Sequence, residues 1–293
     1  MRIPIRMVTF GQNLLIPQCC VANASRILPF YISHMWMKTQ DNGLAATFYG
    51  PCEVNTMVNN KKVNISCKTD YPFRENIDVH VNPHKSMTFS LYFRIPDWCE
   101  NLQVTINGKP VEVNKDRNGF LKVLRKWSKD DLVNLVFPMQ PRLHHDVEKD
   151  FPEEQIDYYA EDRWGMEIPS DVRGKITSGL NLPFESIYYG PLLFSLPIPD
   201  DGGPAKIKGN PEWRYALNND AALGGQDINV TSSPMPEKWD WPLDAPIKLK
   251  VPAKKFDWKP ERYVPLPYKP ITGGEDETII LVPFGSTLNF WLL

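Results

Sequence analysis

Residues 102–113 read LQVTINGKPVEV, and this stretch decides the fold. Leu102–Ile106 alternates apolar and polar side chains, Asn107-Gly108 follows, and Val111–Val113 returns with the same alternation. An Asn-Gly pair supplies the two positive-φ residues that a two-residue type I′ turn needs, and that turn matches the twist of paired antiparallel strands. Working outward, Val63–Cys67, Ile77–Asn82 and Thr88–Ile95 are short β-type runs upstream, and Phe120–Leu124 and Leu132–Phe137 continue the series downstream. Asn, Pro and Gly clusters separate them. Short strands at this spacing, with no helical pattern between them, predict an antiparallel β-sandwich rather than a parallel α/β sheet.

One segment carries helical periodicity. From Val21 to Lys38 the apolar residues Ala24, Ile27, Leu28, Tyr31, Ile32, Met35 and Trp36 recur three and four apart. Pro29 falls inside the pattern and is expected to kink it, and Asp41-Asn42-Gly43 is a stop signal. Beyond the sandwich, His144–Leu182 is polar and reads as a surface connection. Apolar patterning resumes at Ile187–Leu196, Ile247–Val251 and Thr278–Pro283, as strands of a second β unit. Many of the 28 prolines fall between Leu196 and Thr272, which predicts edge strands and irregular loops there. The chain divides into residues 1–42, a sandwich over 43–143, and a connection with a proline-rich β domain over 144–293.

The net charge of -2, with no long block of one sign, argues against a nucleic-acid partner. No stretch is long and apolar enough for a helical membrane span. Met1–Gln18 has neither a continuous apolar core nor a small-residue cleavage site, so it does not read as a secretory signal. Five cysteines without regular spacing predict no disulfide framework. Nine tryptophans fit either sugar-stacking surfaces or a large β core.

Cys19-Cys20 is the most informative pair. Adjacent cysteines at a helix start can share a metal, or one can act as nucleophile while the other holds zinc, because zinc and the helix dipole both favour thiolate. Two inert buried cysteines are the other reading. His144-His145 has a metal-like look but sits in a polar stretch where a solvated pair is commoner. His34 reads as a core-edge histidine, and nothing singles out His80 or His84. Glu53, Asp70 and Asp97 lie near strand ends, and the sequence assigns none of them an acid/base role. Asn23, Asn64 and Asn229 begin glycosylation sequons, a pattern that also arises by chance.

Several segments taken together resemble glycoside hydrolase family 127, the β-L-arabinofuranosidase-like proteins. They are CCVAN at 19–23, GLAATFYG at 43–50, TDYPF at 69–73, FRIPDWC at 93–99, VTING at 104–108, WSKDD at 127–131, FPM at 137–139, YGPL at 189–192 and ILVPFG at 280–285. The resemblance runs over residues 19–293 and rests on the combination rather than on any one motif. It implies a mainly β chain in which antiparallel β-sandwich domains follow one helix left from an (α/α)6 barrel. It also implies a retaining zinc-thiolate glycosidase acting on terminal β-L-arabinofuranosyl-type linkages of plant-derived glycans, in a glycan-degrading bacterium. Cys19 would be the nucleophile, and Cys19 and Cys20 would both bind zinc.

In that family the other zinc donors, a glutamate and a cysteine, precede the pair, as does the general acid/base glutamate. Met1–Gln18 contains no Cys, Glu, Asp or His. The chain is therefore expected to be a carboxy-terminal part that holds zinc weakly and is inactive alone. Its helix, with an apolar face and no barrel around it, is expected to self-associate or to join the missing barrel. The rival readings are a non-catalytic sandwich that binds glycans or scaffolds through Trp98, Trp127 or Trp213, and completion of the active site by a second chain. A zinc or redox role of Cys19-Cys20 alone is the third. The compartment stays open.

Overall fold

The computed structural model describes residues 18–147, 167–171, 183–197, 214–217, 227–239, 244–256, 273–286 and 290–291. They fall into two compact units. The first holds residues up to Tyr71 together with Asn76–Val136, and the second holds Pro72–Glu75 and everything from Phe137 onward.

Unit one opens with α1 (Gln18–His34), which runs through Pro29. It ends four residues before the expected Lys38. Ser33 Oγ and His34 Nδ1 both hydrogen-bond around the Phe30 carbonyl, and the Met35 carbonyl accepts from the Thr47 amide at 2.9 Å instead of continuing the helix. Met35 and Trp36 extend the apolar spacing, yet Trp36 already belongs to a strand. That strand, β1 (Trp36–Lys38), pairs with β2 (Leu44–Ala46) across the Asp41-Asn42-Gly43 turn.

The remaining strands are β3 (Cys52–Val58), β4 (Lys61–Thr69), β5 (Asn76–Pro83), β6 (Met87–Arg94), β7 (Gln103–Ile106), β8 (Lys109–Pro110), β9 (Phe120–Trp127) and β10 (Asp131–Val136). They form one sheet in the order β1-β2-β6-β9 and another in the order β3-β4-β5-β10-β7-β8. Each sheet alternates buried and exposed positions. Ile77, Val79 and Val81 of β5 face inward beside Val133 and Leu135 of β10, while Leu91 and Phe93 of β6 lie opposite Val123 and Leu121 of β9. Strands with one dry and one wet face need a second layer, and two such sheets in one unit supply it.

The pairing is not antiparallel throughout. β2 runs parallel to β6, with Leu44 opposite Leu91, because the chain spends β3–β5 in the other sheet before returning. Asn107 and Gly108 take the expected left-handed backbone, at φ 52° and 76°. The returning strand is Lys109–Pro110 rather than Val111–Val113. Asn107 also ties the turn to β10. Its Nδ2 donates to Asp131 Oδ1 at 2.7 Å, and its Oδ1 accepts from the Leu132 amide at 2.8 Å.

Trp127 is fully buried, and its Nε1 donates to the Phe89 carbonyl at 2.9 Å. This overturns its reading as a sugar platform: it is a core residue whose polar edge is satisfied by a neighbouring strand. Trp98 is partly buried, and Trp213 lies outside the described residues.

Unit two is built on β11 (Pro141–Val147), β12 (Pro183–Tyr189), β13 (Leu192–Pro197), β14 (Tyr215–Leu217), β15 (Asn229–Ser232), β16 (Ile247–Lys255), β17 (Glu275–Pro283) and β18 (Phe290–Trp291). The sheet order is β11-β12-β13-β17-β16-β14, with β15 on β16 and β18 on β13, all antiparallel. Its core gathers Ile187, Phe194, Leu249, Val251 and Leu281. The expected run Ile187–Leu196 is a hairpin turned at Gly190, whose φ is 55° and where a Cβ would meet Met139 Sδ at 2.5 Å. The polar start of the expected connection, His144-His145, is instead part of β11, an edge strand paired to β12. Pro72–Glu75 is held within this unit: Phe73 stacks on Trp239 at 5.3 Å, and Glu75 Oε1 accepts from the Met139 amide at 2.6 Å.

Candidate functional site

Cys19 and Cys20 are the second and third residues of α1. Their side chains lie outside the described residues. From Arg26 onward the helix surroundings are in view. Ile27, Leu28, Phe30 and Ile32 are exposed, Ile27 to 68% and Phe30 to 63%, so this stretch turns much of its apolar surface outward.

Tyr31 anchors α1 to unit one. Its hydroxyl donates to the Tyr49 carbonyl at 2.7 Å, and the buried Tyr49 hydroxyl donates to the Arg94 carbonyl, also at 2.7 Å. The Tyr49 ring meets Tyr71 edge-on at 6.1 Å, and Tyr31 leans on Phe48 at 5.1 Å. An open hollow of about 300 Å³ lies against the helix, lined by Arg26, Ile27, Phe30, Tyr31 and Phe48. Burial raises the hydroxyl pKa of Tyr31, Tyr49 and Tyr71 above the ordinary phenol value, so all three stay neutral, and Tyr31 and Tyr49 serve as donors. The hollow has no carboxylate in its lining, so the described residues place no acid/base pair there.

Gly43 shows why its segment needs a glycine: a Cβ would come within 2.4 Å of the Ser90 carbonyl and 2.9 Å of Thr39 Oγ1. Leu44, Ala45 and Ala46 are buried behind it. Thr47 hydroxyl donates to the His34 carbonyl and closes the end of α1. The GLAATFYG motif is thus the joint between helix and sandwich.

The other candidates separate. His145 Nδ1 lies 2.8 Å from Glu185 Oε1 and His144 meets Tyr188 edge-on, so the pair sits in ordinary contacts along β11. His34 is partly exposed at the helix end. Glu53 accepts from Asn64 at 2.7 Å on the outer face of β4, and Asp97 pairs with Lys115 at 3.0 Å in solvent. Among the described residues, no three His, Cys, Asp or Glu side chains are grouped to hold a metal ion.

One arrangement was not legible from cysteine spacing. Cys52 and Cys67 are direct partners across β3 and β4, and both are free thiols. They are symmetric about Asn59-Asn60, whose φ values of 46° and 59° make it a hairpin turn. An Asn-Asn pair recognised as a turn would have placed them together.

Residues 43–139 match the family model described as the β-L-arabinofuranosidase GH127 middle domain. No curated protein sequence matches the chain. Among solved structures, a GH127 β-L-arabinofuranosidase from Geobacillus stearothermophilus T6 aligns with a TM-score of 0.58 at 21% identity, over 91% of this chain and 34% of that one. A structure described as a glycoside hydrolase gives 0.57 at 21% identity, over 99% and 42%. A GH127 β-arabinofuranosidase gives 0.57 at 19% identity, over 92% and 36%. The chain thus spans between a third and under half of the length of the structures it matches. Its fold resembles that part of those structures, and residues 43–139 match the GH127 middle-domain model.

Proposed function

We propose that this chain contributes one part of a retaining glycoside hydrolase acting on terminal β-L-arabinofuranosyl-type linkages. The GH127 middle-domain match over residues 43–139 carries the reading, because it follows directly on a helix whose first turn holds Cys19-Cys20. In this reading α1 is the helix that joins the sandwich to an (α/α)6 barrel, and its outward apolar side chains are the face that the barrel covers.

Cys19, as thiolate, attacks the anomeric carbon, its sulfur bonds to that carbon, and the aglycone oxygen leaves with a proton from a general acid. Water, giving its proton to the same group now acting as base, then attacks that carbon and releases the Cys19 thiolate, so configuration is retained after two inversions. Cys20 is a companion donor to zinc, and a glutamate and a further cysteine complete the set in the whole enzyme. In this reading those donors and the general acid come from the rest of the enzyme, and the isolated chain turns over no substrate and holds zinc weakly.

The test is hydrolysis of an aryl β-L-arabinofuranoside by the wild-type chain and by Cys19→Ala. Neither is expected to turn over. Turnover abolished in Cys19→Ala would preserve the nucleophile and overturn the inactivity of the isolated chain. Turnover that survives in Cys19→Ala would overturn the nucleophile.

A further inference from the structure

Cys52 and Cys67 lie outside everything the glycosidase reading uses. They face each other directly across an antiparallel pair, on the same face as Val54 opposite Ile65 and Thr56 opposite Val63. Directly opposed residues have Cα atoms about 4.5–5.5 Å apart, inside the roughly 4.4–6.8 Å that a disulfide spans. The Asn59-Asn60 turn fixes this register, so the sulfurs meet without a strand slip. Their exposure differs. Cys52 is on the edge strand and partly exposed, whereas Cys67 is one strand in and buried.

We propose that Cys52 and Cys67 are a redox-active cross-strand dithiol that exchanges with low-molecular-weight disulfides, Cys52 attacking and Cys67 resolving. The Cys67 thiol donates a hydrogen bond to the Cys52 sulfur, and the Trp36 indole N–H donates another, which together draw the Cys52 pKa down to about 7. The same bond, with burial, raises the Cys67 pKa and keeps that thiol protonated. The lowered pKa makes Cys52 rather than Cys67 the attacking thiolate.

The Cys52 thiolate bonds to one sulfur of R–S–S–R and expels R–S⁻. Cys67 passes its proton to that thiolate as its sulfur bonds to Cys52, expelling the second R–S⁻. Both cysteine sulfurs are oxidised by one electron each, and the small disulfide is reduced to R–SH and R–S⁻. The bond joins edge strand β3 covalently to β4 and removes the thiolate that Trp36 had capped.

The experiment uses the full chain with all its cysteines, exposed to oxidised glutathione, quenched with iodoacetamide and mapped by peptide mass spectrometry. A linked peptide pair containing Cys52 and Cys67, two hydrogens lighter, is expected. Cys67→Ser should hold a persistent glutathione adduct at Cys52, and Cys52→Ser should leave Cys67 unmodified. An adduct on Cys67 in Cys52→Ser, or a Cys52 that stays unmodified in both wild type and Cys67→Ser, would overturn the assignment. The wild-type linkage is read without any substitution, so a variant that folds poorly does not decide the outcome.

Discussion

Replacing Trp127 with alanine separates a core tryptophan from a sugar-binding one. The side chain is completely buried in unit one, beside Phe89 at 6.1 Å and under Arg125 at 5.1 Å, with its indole N–H bonded across to β6. A buried tryptophan removes roughly 150–250 Å² from water. At about 25 cal/mol per Å² this is worth roughly 4–6 kcal/mol as an upper bound, to which the satisfied N–H adds about 1 kcal/mol. Alanine leaves a cavity that relaxes only partly, and truncations of this kind cost about 3–5 kcal/mol. With a urea slope of about 2 kcal/mol per M, the unfolding midpoint should fall by about 1.5–2.5 M. Trp127→Phe, which keeps a ring but loses the donor, should cost less, about 1–2 kcal/mol. Urea unfolding followed by far-ultraviolet circular dichroism reads both. A shift worth less than about 0.5 kcal/mol in Trp127→Ala, the size typical of a surface substitution, would refute the placement of this side chain and restore the exposed platform.

Gly43→Ala should destabilise unit one by about 1–3 kcal/mol, because the added methyl meets the Ser90 carbonyl rather than a yielding side chain; thermal unfolding measures it. Iodoacetamide modification of Cys52 should accelerate as pH rises through about 7, since the thiolate forms there, and should fall away below it as the sulfur protonates. Cys67, buried and protonated, should react at least about tenfold more slowly across that range. Ile27→Glu with Phe30→Glu, on the exposed side of α1, should change stability by less than about 0.5 kcal/mol and lower self-association in sedimentation velocity. Unchanged association would show that this face does not mediate it.

The strands that could be read from sequence were those with one dry face. Val63–Cys67, Ile77–Asn82 and Leu132–Phe137 place β-branched or leucine side chains at every second residue, and the structure buries those positions. β3 escaped because its run, CEVNTMV, puts Glu53, Asn55 and Met57 outward and lies on a sheet edge, where its inner positions are only partly covered. β11 escaped for a similar reason, with His144 and His145 exposed on an edge. The end of α1 was misplaced because Met35 and Trp36 keep a helical spacing while the Thr47 contacts turn the chain into β1. The candidate chemistry divides in the same way. Cys19-Cys20 owes its proposed role to a family resemblance, since adjacent cysteines alone do not separate a metal pair from a structural one. Cys52 and Cys67 become a pair only through strand register, which linear spacing conceals until the turn between them is recognised.

Zinc retention tests the central proposal most directly, namely that this chain carries the Cys19-Cys20 pair without the rest of the metal's donors. The purified chain, loaded with zinc and dialysed against a chelator, should keep far less than one ion per chain. Cys19→Ser and Cys20→Ser should then be indistinguishable from wild type. One ion held per chain, and lost in both variants, would contradict the account and show that the chain completes the site with its own residues.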